Sequence, residues 1–327
     1  MIREEPGDEG TKENNYHYVR DLKNSRYPDI KGLEYELFIQ QLEYIMEHDT
    51  VITMEKLLDA YRSNDFSKIP ENAVLLTFDD GYMDHYTVVY PVLKKYGVQG
   101  SFFPNAMAVK EHKLLTVNRI HFVLAMAEQN GILDELVADC FEMMEEYRST
   151  GVELEENQQI YERIAIPNRW DSGEVIFVKR LLQNELPEEI RTEMAQKLFE
   201  KYVTVPEDVF ARELYMNLDQ IQCMKDGGMF FGLHGYDHYW LGKLPGAQMK
   251  QDIDRALEFF DGVIDRNNWV MNYPYGNYSK DVIEYIKGIG CTLGLSVEAR
   301  EAEIGVDDRF ALPRLDTNDI YPKGQKR

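Results

Sequence analysis

The stretch AVLLTFDDGYMDHYTVVYPVLKKYGVQGSFF (73–103) constrains the fold more than any other part of the chain. It opens with a short apolar run, AVLLTF (73–78), in which Val74 and Thr77 are β-branched, and Asp-Asp-Gly ends that run in a tight turn. A helix-like segment follows over Val88–Tyr96, bounded or kinked by Pro91 and closed by Gly97, and Gly100–Phe103 forms a second short strand. Strand, helix and strand in this order make a βαβ unit, and alternating units of this sort imply a parallel sheet or barrel. Upstream, Phe38, Leu42 and Ile45 and then Leu57, Leu58 and Tyr61 recur at helical spacing, with Thr53 as N-cap of the second helix.

The alternation then stops. The next strand-like run, MFFGL (229–233), begins far beyond the dozen or so residues that a crossover needs. The intervening sequence is rich in Leu, Met, Glu and Lys, as in Ile132–Tyr147 and Pro187–Tyr202, and predicts a helical insertion over about residues 108–215. After it come a helix (Ala247–Ile264), the strand WVMNY (269–273), a helix Lys280–Lys287 capped by Ser279, and the strand CTLGLSV (291–297). The expected class is therefore α/β, a barrel-like succession of βα units interrupted by the insertion.

Three polar clusters each follow an apolar strand: Thr77-Phe78-Asp79-Asp80-Gly81, His234-Gly235-Tyr236-Asp237-His238 and Tyr273-Pro274-Tyr275-Gly276. In a parallel barrel the C-terminal strand ends open on one face, so clusters distant in sequence converge there. Adjacent carboxylates repel, and neighbouring strand residues point apart. One carboxylate can ligate a cation while the other reaches the cation's water, although an ordinary Asp-Gly turn produces the same triplet. His234 and His238, four apart, suit ligation by two imidazoles; two unrelated histidines are the competing reading. Two His and one Asp leave positions for water and substrate, as a catalytic zinc site requires. Tyr273–Gly276 is either a plain Pro-Gly turn or a loop whose N–H groups face a developing oxyanion.

Composition excludes some partners. With 36 basic and 58 acidic residues the net charge is −22, which argues against nucleic acid and anionic membranes. No run approaches the roughly 20 apolar residues of a membrane span. Residues 1–15 are polar and acidic and predict a flexible tail before a domain covering 16–327; without the apolar run of a signal peptide, the expected address is cytoplasmic. Cys140, Cys223 and Cys291 are too far apart for a thiolate zinc site and predict buried reduced thiols.

Together, TFDDG (77–81), HGYDH (234–238) and YPYG (273–276) resemble the motifs of the polysaccharide deacetylases, carbohydrate esterase family 4 or NodB-homology domains. LTFDDGY followed by PVLKKYGVQGSFF is a close match, and the resemblance covers about residues 70–105 and 227–320 but not the insertion. It implies a distorted (β/α) barrel and one divalent ion, zinc foremost, with cobalt, nickel or manganese as substitutes. By the same resemblance Asp79 is the catalytic base, Asp80, His234 and His238 are the metal ligands, and the Tyr275 N–H joins in holding the oxyanion.

The chain departs from the family in three places. Gly235 stands where the second motif usually has Ser or Thr, which bears on the rigidity of that loop. Asn272 aligns with an Arg that braces the base, and Arg314, in ALPRLDTND (311–319), is either its replacement or half of a surface salt bridge. The C-terminal histidine that serves as general acid is missing, because no histidine follows His238. NYHYVRD (15–21) resembles a Tyr-His segment N-terminal to the barrel in permuted relatives such as poly-N-acetylglucosamine deacetylases, which makes His17 the candidate acid; a histidine in a mobile arm is the alternative.

The expected function is removal of an N-acyl group, an acetyl foremost, from a carbohydrate in cell-surface polysaccharide or glycan biosynthesis. A deformylase or amidase acting on a nucleotide- or lipid-linked sugar or a non-sugar amide keeps the chemistry and changes the substrate. A catalytically dead carbohydrate-binding module is the other class, and intact Asp79, Asp80, His234 and His238 weigh against it. Tyr82, Tyr236, Tyr239 and Trp240 flank the motifs and suit either stacking on a sugar or core packing. The insertion offers a surface for a homo-oligomer.

Overall fold

The computed structural model describes residues 17–168 and 171–324; the expected tail, 1–15, lies outside the described residues. Two compact units divide the chain. One gathers the described residues through Arg20, Leu33–His112 and the chain from Arg212 onward, and the other holds Asp21–Gly32 with Lys113–Ala211.

Among the described residues, the first unit carries all the strands. β1 (Val19–Arg20) pairs in parallel with β2 (Leu33–Glu34), and β3 (Thr50–Val51) with β4 (Ala73–Val74). β5 (Leu76–Asp80), β6 (Gly100–Pro104) and β7 (Phe230–Phe231) form a parallel sheet in that order. A parallel bridge from Leu233 to Met271 continues the succession to β8 (Trp269–Asn272), which pairs with β9 (Cys291–Leu295), and Leu295 bridges Leu312. With every crossover parallel, the ends of β5, β7 and β8 emerge on the same side, where the three motifs begin.

Local chemistry accounts for the boundaries. Thr53 and Ser279 cap their helices through Lys56 N–H and Val282 N–H, and Gly97 ends its helix at φ 70°. The run AVLLTF splits at Leu75 into two strands with different partners, and the second continues past Phe78, because Asp79 and Asp80 keep their ladder places opposite Phe103 and Pro104. The helix expected from Val88 starts three residues earlier as a π turn, His85–Val89. Pro91, at the start of the following α-helix, excludes the ordinary i−4 carbonyl contact, and the Tyr90 N–H reaches back to the His85 carbonyl instead.

The second unit is helical, with Thr116–Asn130, Leu133–Ser149, Gly173–Arg180 and Glu188–Tyr202 as its main helices. Its core sets Phe122 against Tyr27 and Phe210 edge to face, so Asp21–Gly32 packs with helices about a hundred residues downstream. Inside it, the buried Arg119 pairs with Glu207 at 2.6 Å, and Glu207 also accepts the Leu114 N–H. Cys140 and Cys291 are buried free thiols as expected, but Cys223 is exposed, since it sits on the outer side of the helix Leu218–Asp226.

Phe102, fully buried on β6, stacks on Phe78 of β5 with ring centroids 4.8 Å apart and lies 5.6 Å from Phe231 of β7. It fastens together the two strands that carry the first two motifs. Phe102→Ala should cost about 3–5 kcal/mol, read as a lower urea midpoint for the strand-bearing unit. A shift of less than about a third of that would show that this layer does not hold the strands together.

Candidate metal centre and its surroundings

β5 delivers Asp79 and Asp80 on its last two rungs, so their side chains leave on opposite faces. Asp80 turns into the left-handed region at φ 68° and Gly81 follows at φ 77°. A Cβ on Gly81 would come within 2.6 Å of the Pro104 Cβ, so the turn excludes any other residue. Both carboxylates are 2% exposed.

Asp80 points at the histidine pair. Its Oδ1 lies 3.3 Å from His234 Nε2 and 3.4 Å from His238 Nε2, and its Oδ2 accepts the Tyr82 hydroxyl at 2.7 Å. Tyr82 and Tyr236 are 0% and 1% exposed, which rules them out as sugar-stacking surfaces; Tyr82 instead orients Asp80 from within the core. The His234 Nδ1 sits 2.7 Å from the Asn272 carbonyl, so that nitrogen carries the proton and the neutral ring turns the Nε2 lone pair toward Asp80. Oδ1 has no hydrogen-bond partner among the described residues. Lone pairs facing one another in a buried site repel unless a cation or a proton stands between them.

The geometry fits a cation. Two bonds of about 2.0–2.1 Å meeting at a tetrahedral angle place their donor atoms roughly 3.3–3.4 Å apart, which matches the spacing here. Among the described residues, Asp80, His234 and His238 form the group whose ligand atoms all lie within 4.8 Å of one another. Burial alone would lower the His234 imidazole, but Asp80 and Asp79 outweigh it and raise it above its ordinary 6.5.

Asp79 points the other way, into a clamp. Arg314 Nη1 donates to Oδ1 and Nη2 to Oδ2, each at 3.0 Å, and Asn272 Nδ2 donates to Oδ1 at 2.6 Å. Arg314 is 9% exposed and is itself fixed by Ser296 O at 2.9 Å and Thr77 Oγ1 at 3.2 Å, so its contact with Asp79 is no surface salt bridge. The bridge between Leu295 and Leu312 and the buried Gln41, which donates to the Thr317 carbonyl at 2.6 Å, secure the segment that presents it. Burial alone would raise the Asp79 carboxyl; the Arg314 charge and the hydrogen bonds it donates outweigh it and hold the group below its ordinary 3.8.

His17 enters from β1, partly exposed, with Nε2 3.7 Å from Asp80 Oδ2. The segment is docked on the residues just after Gly81. His85 Nε2 donates to the His17 carbonyl at 2.9 Å, Arg20 pairs with Asp84 at 2.7 Å, and Tyr18 stacks on Tyr82 at 4.4 Å. Tyr275 also lies beside the centre, at φ 56°, its ring edge-on to His238 at 4.6 Å and stacked on Trp240 at 4.7 Å. The structure thus brings Asp79, Asp80, His234, His238, Arg314, Tyr275 and His17 into one neighbourhood. Asn272 occupies the position where the family's Arg braces the base and does contact Asp79, whereas Asp84, His85 and Arg20 had no signal in the motifs beyond proximity to them.

A model of the polysaccharide deacetylase family matches residues 67–157 and 187–294. The chain is 58% identical over 36 residues to YxkH of Bacillus subtilis strain 168, which carries the name of a polysaccharide deacetylase; the match covers 11% of this chain and 13% of that relative. Among solved structures, the chain is similar to the Streptococcus pyogenes deacetylase PplD in complex with acetate, at 16% identity and a TM-score of 0.53 over 92% of this chain and 88% of that one. It is similar in the same degree to IcaB from Ammonifex degensii, at 19% identity and a TM-score of 0.53 over 94% and 92% of the two chains. At such identities the likeness is one of fold, the distorted barrel. No helix among the described residues is long and apolar enough to cross a membrane.

The clamp on Asp79 has a measurable consequence. Removing one partner of a buried ion pair leaves the other uncompensated, so Arg314→Met should destabilise the protein by about 3–5 kcal/mol. Because the folded-state value of Asp79 lies below its ordinary 3.8, its contribution is full above that pH and is lost as the pH falls toward the folded value. Urea unfolding of wild type and variant should accordingly converge in acid. A difference as large at low pH as at neutral pH would show that Arg314 acts through packing alone.

Proposed function

The chain belongs to the polysaccharide deacetylase family, and from that premise we propose that it is a metal-dependent hydrolase removing an N-acyl group, an acetyl foremost, from a carbohydrate. The observation that carries this reading is the opposed disposition of two adjacent buried carboxylates: Asp80 toward two imidazole nitrogens at 3.3 and 3.4 Å, and Asp79 into the Arg314 fork.

In this reading Asp80, His234 and His238 hold the divalent ion, zinc by the mixed nitrogen and oxygen donor set, with cobalt, nickel or manganese able to replace it. Such an ion supplies a Lewis acid for the acyl carbonyl and acidifies the attacking water. Asp79 takes the water's proton. Arg314 and Asn272 keep it ionised and in one orientation, which also makes it a weak base, suited to water that is already acidified. The Tyr275 N–H stabilises the oxyanion as it develops, in a loop steadied by the stacking of Tyr275 on Trp240. His17, partly exposed beside the buried carboxylates, delivers a proton to the departing amine.

Assigning distinct roles to the two aspartates and the histidines gives distinct phenotypes. His234→Ala or His238→Ala should lose both bound metal and acetate release from N-acetyl sugars, since one Asp and one His hold a divalent ion poorly. Asp79→Asn should keep its metal while kcat falls roughly 100-fold or more. Elemental analysis beside an assay of acetate and formate across a panel of N-acyl sugars checks both. Stoichiometric metal in either histidine variant would remove that ligand from the site, and formate release alone would change the acyl group.

His17→Ala should also retain metal, but lose turnover on amides far more than on activated esters, whose leaving groups need no proton. The measurement is kcat on a matched amide and ester pair, with equal losses on both sinking the assignment.

A further inference from the structure

We propose that Asp252 is a positioning residue for the His234–His238 loop, its carboxylate standing where a side chain on residue 235 would lie and holding the peptides between the two histidines. This rests on the reading of those histidines as metal ligands.

The loop has no regular structure and passes through positive φ twice, at Gly235 (70°) and at His238 (57°). Its peptide groups are nevertheless held from two sides. On the carbonyl side, Ala106 N donates to Gly235 O at 3.3 Å and Met107 N to Tyr236 O at 3.0 Å, both from the start of the helix Ala106–Glu111, and Asn105 Nδ2 reaches His234 O at 3.4 Å. On the N–H side, a single carboxylate takes both donors: Tyr236 N to Asp252 Oδ2 at 2.9 Å and Asp237 N to Asp252 Oδ1 at 2.8 Å. Asp252 is 3% exposed and sits on the rigid helix Gly246–Phe259, from which Arg255 also pairs with Asp237 at 3.2 Å.

A Cβ on Gly235 would lie 2.9 Å from Asp252 Oδ2. Gly235 is therefore required for a reason beyond its φ: the carboxylate fills the space beside it. Where Ser or Thr commonly follows the first histidine of this motif, this chain has Gly235, and a buried carboxylate from a helix occupies the space beside it. Two ligand nitrogens on a five-residue loop keep their separation only if the intervening peptides cannot rotate, and each Asp252 oxygen blocks one such rotation.

The test measures Co2+ affinity of the full chain by chelator competition, together with amide hydrogen exchange of the metal-free protein. Asp252→Ala should weaken Co2+ binding by about 10–100-fold, the range typical of groups that orient metal ligands. Asp252→Asn, with one acceptor oxygen for two N–H groups, should fall between, and exchange should quicken at residues 236 and 237 ahead of the rest of the chain. Gly235→Ala should cost more Co2+ affinity in the wild type than in the Asp252→Ala background. The strain of positive φ is common to both, and the clash exists only where the carboxylate does. Wild-type affinity in a folded Asp252→Ala protein, or strictly additive losses in the cycle, would overturn the proposal. If the Ala variant does not fold, the isosteric Asn variant decides on the same two readouts. A wild-type protein that takes up no Co2+ would defeat the metal reading, and Asp252 would then stand or fall on exchange at 236 and 237.

Discussion

Two adjacent carboxylates buried at the end of one strand dictate what must surround them. Asp79 and Asp80 are each 2% exposed, and neither can remain ionised there without a positive partner of its own. Strand geometry sends them to opposite faces, so the partners cannot be shared. Arg314 answers Asp79 from beyond β9, and the imidazoles of His234 and His238, with the cation their lone pairs invite, answer Asp80 from beyond β7. Only an arrangement whose strand ends converge brings those residues within about 3 Å, and parallel βα succession provides one. Asn272 ties the two halves together: its amide donates to Asp79 while its carbonyl fixes the tautomer of His234.

Backbone strain is present at the same place. Among the described non-glycine residues with positive φ are Asp80, His238 and Tyr275, each beside the centre. Such conformations cost of order 1 kcal/mol or more apiece and persist where the surroundings over-determine them. Asp80 is held by Tyr82 and by the ladder opposite Pro104, and Tyr275 by stacking on Trp240. The aromatic residues beside the motifs act here as scaffolding: Tyr82 and Tyr236 support the centre from within.

Much of the centre was legible because its chemistry is local in sequence. A strand that runs into Asp-Asp-Gly, and another that runs into His-x-x-x-His, announce themselves by period and by turn residues, and topology does the rest. What stayed hidden is contact across the fold. Nothing in the spacing of Asp252 says that its side chain faces a motif, and nothing in ALPRLDTND separates a buried fork from a surface ion pair. Tyr82 reads equally as a sugar platform or as core until its burial is seen. The π turn at His85 follows from Pro91, but the docking of the His17 segment on that turn depends on β1, a two-residue strand too short to leave a pattern. Asp21–Gly32 belongs with helices far downstream for the same reason: its anchors, such as Tyr27 against Phe122 and Phe210, are contacts across the fold.

The places where the chain departs from its family's motifs differ in kind, and geometry explains which departures a fold tolerates. A metal ligand must present one lone pair at about 2 Å in a set direction, so it is tied to its loop, and the three residues proposed here as ligands, Asp80, His234 and His238, stand at the motif positions. A charge that braces a carboxylate needs only a planar fork at hydrogen-bonding distance. Arginine carries that fork on a long side chain that can approach from several backbone positions. Here it arrives at Asp79 from residue 314, while a short amide at 272 fills the space near the strand end. By the same logic, support for the histidine loop can come from a helix rather than from the loop's own side chain. Atoms that must coordinate an ion hold their place in the sequence, and the groups that orient them need only hold their place in space.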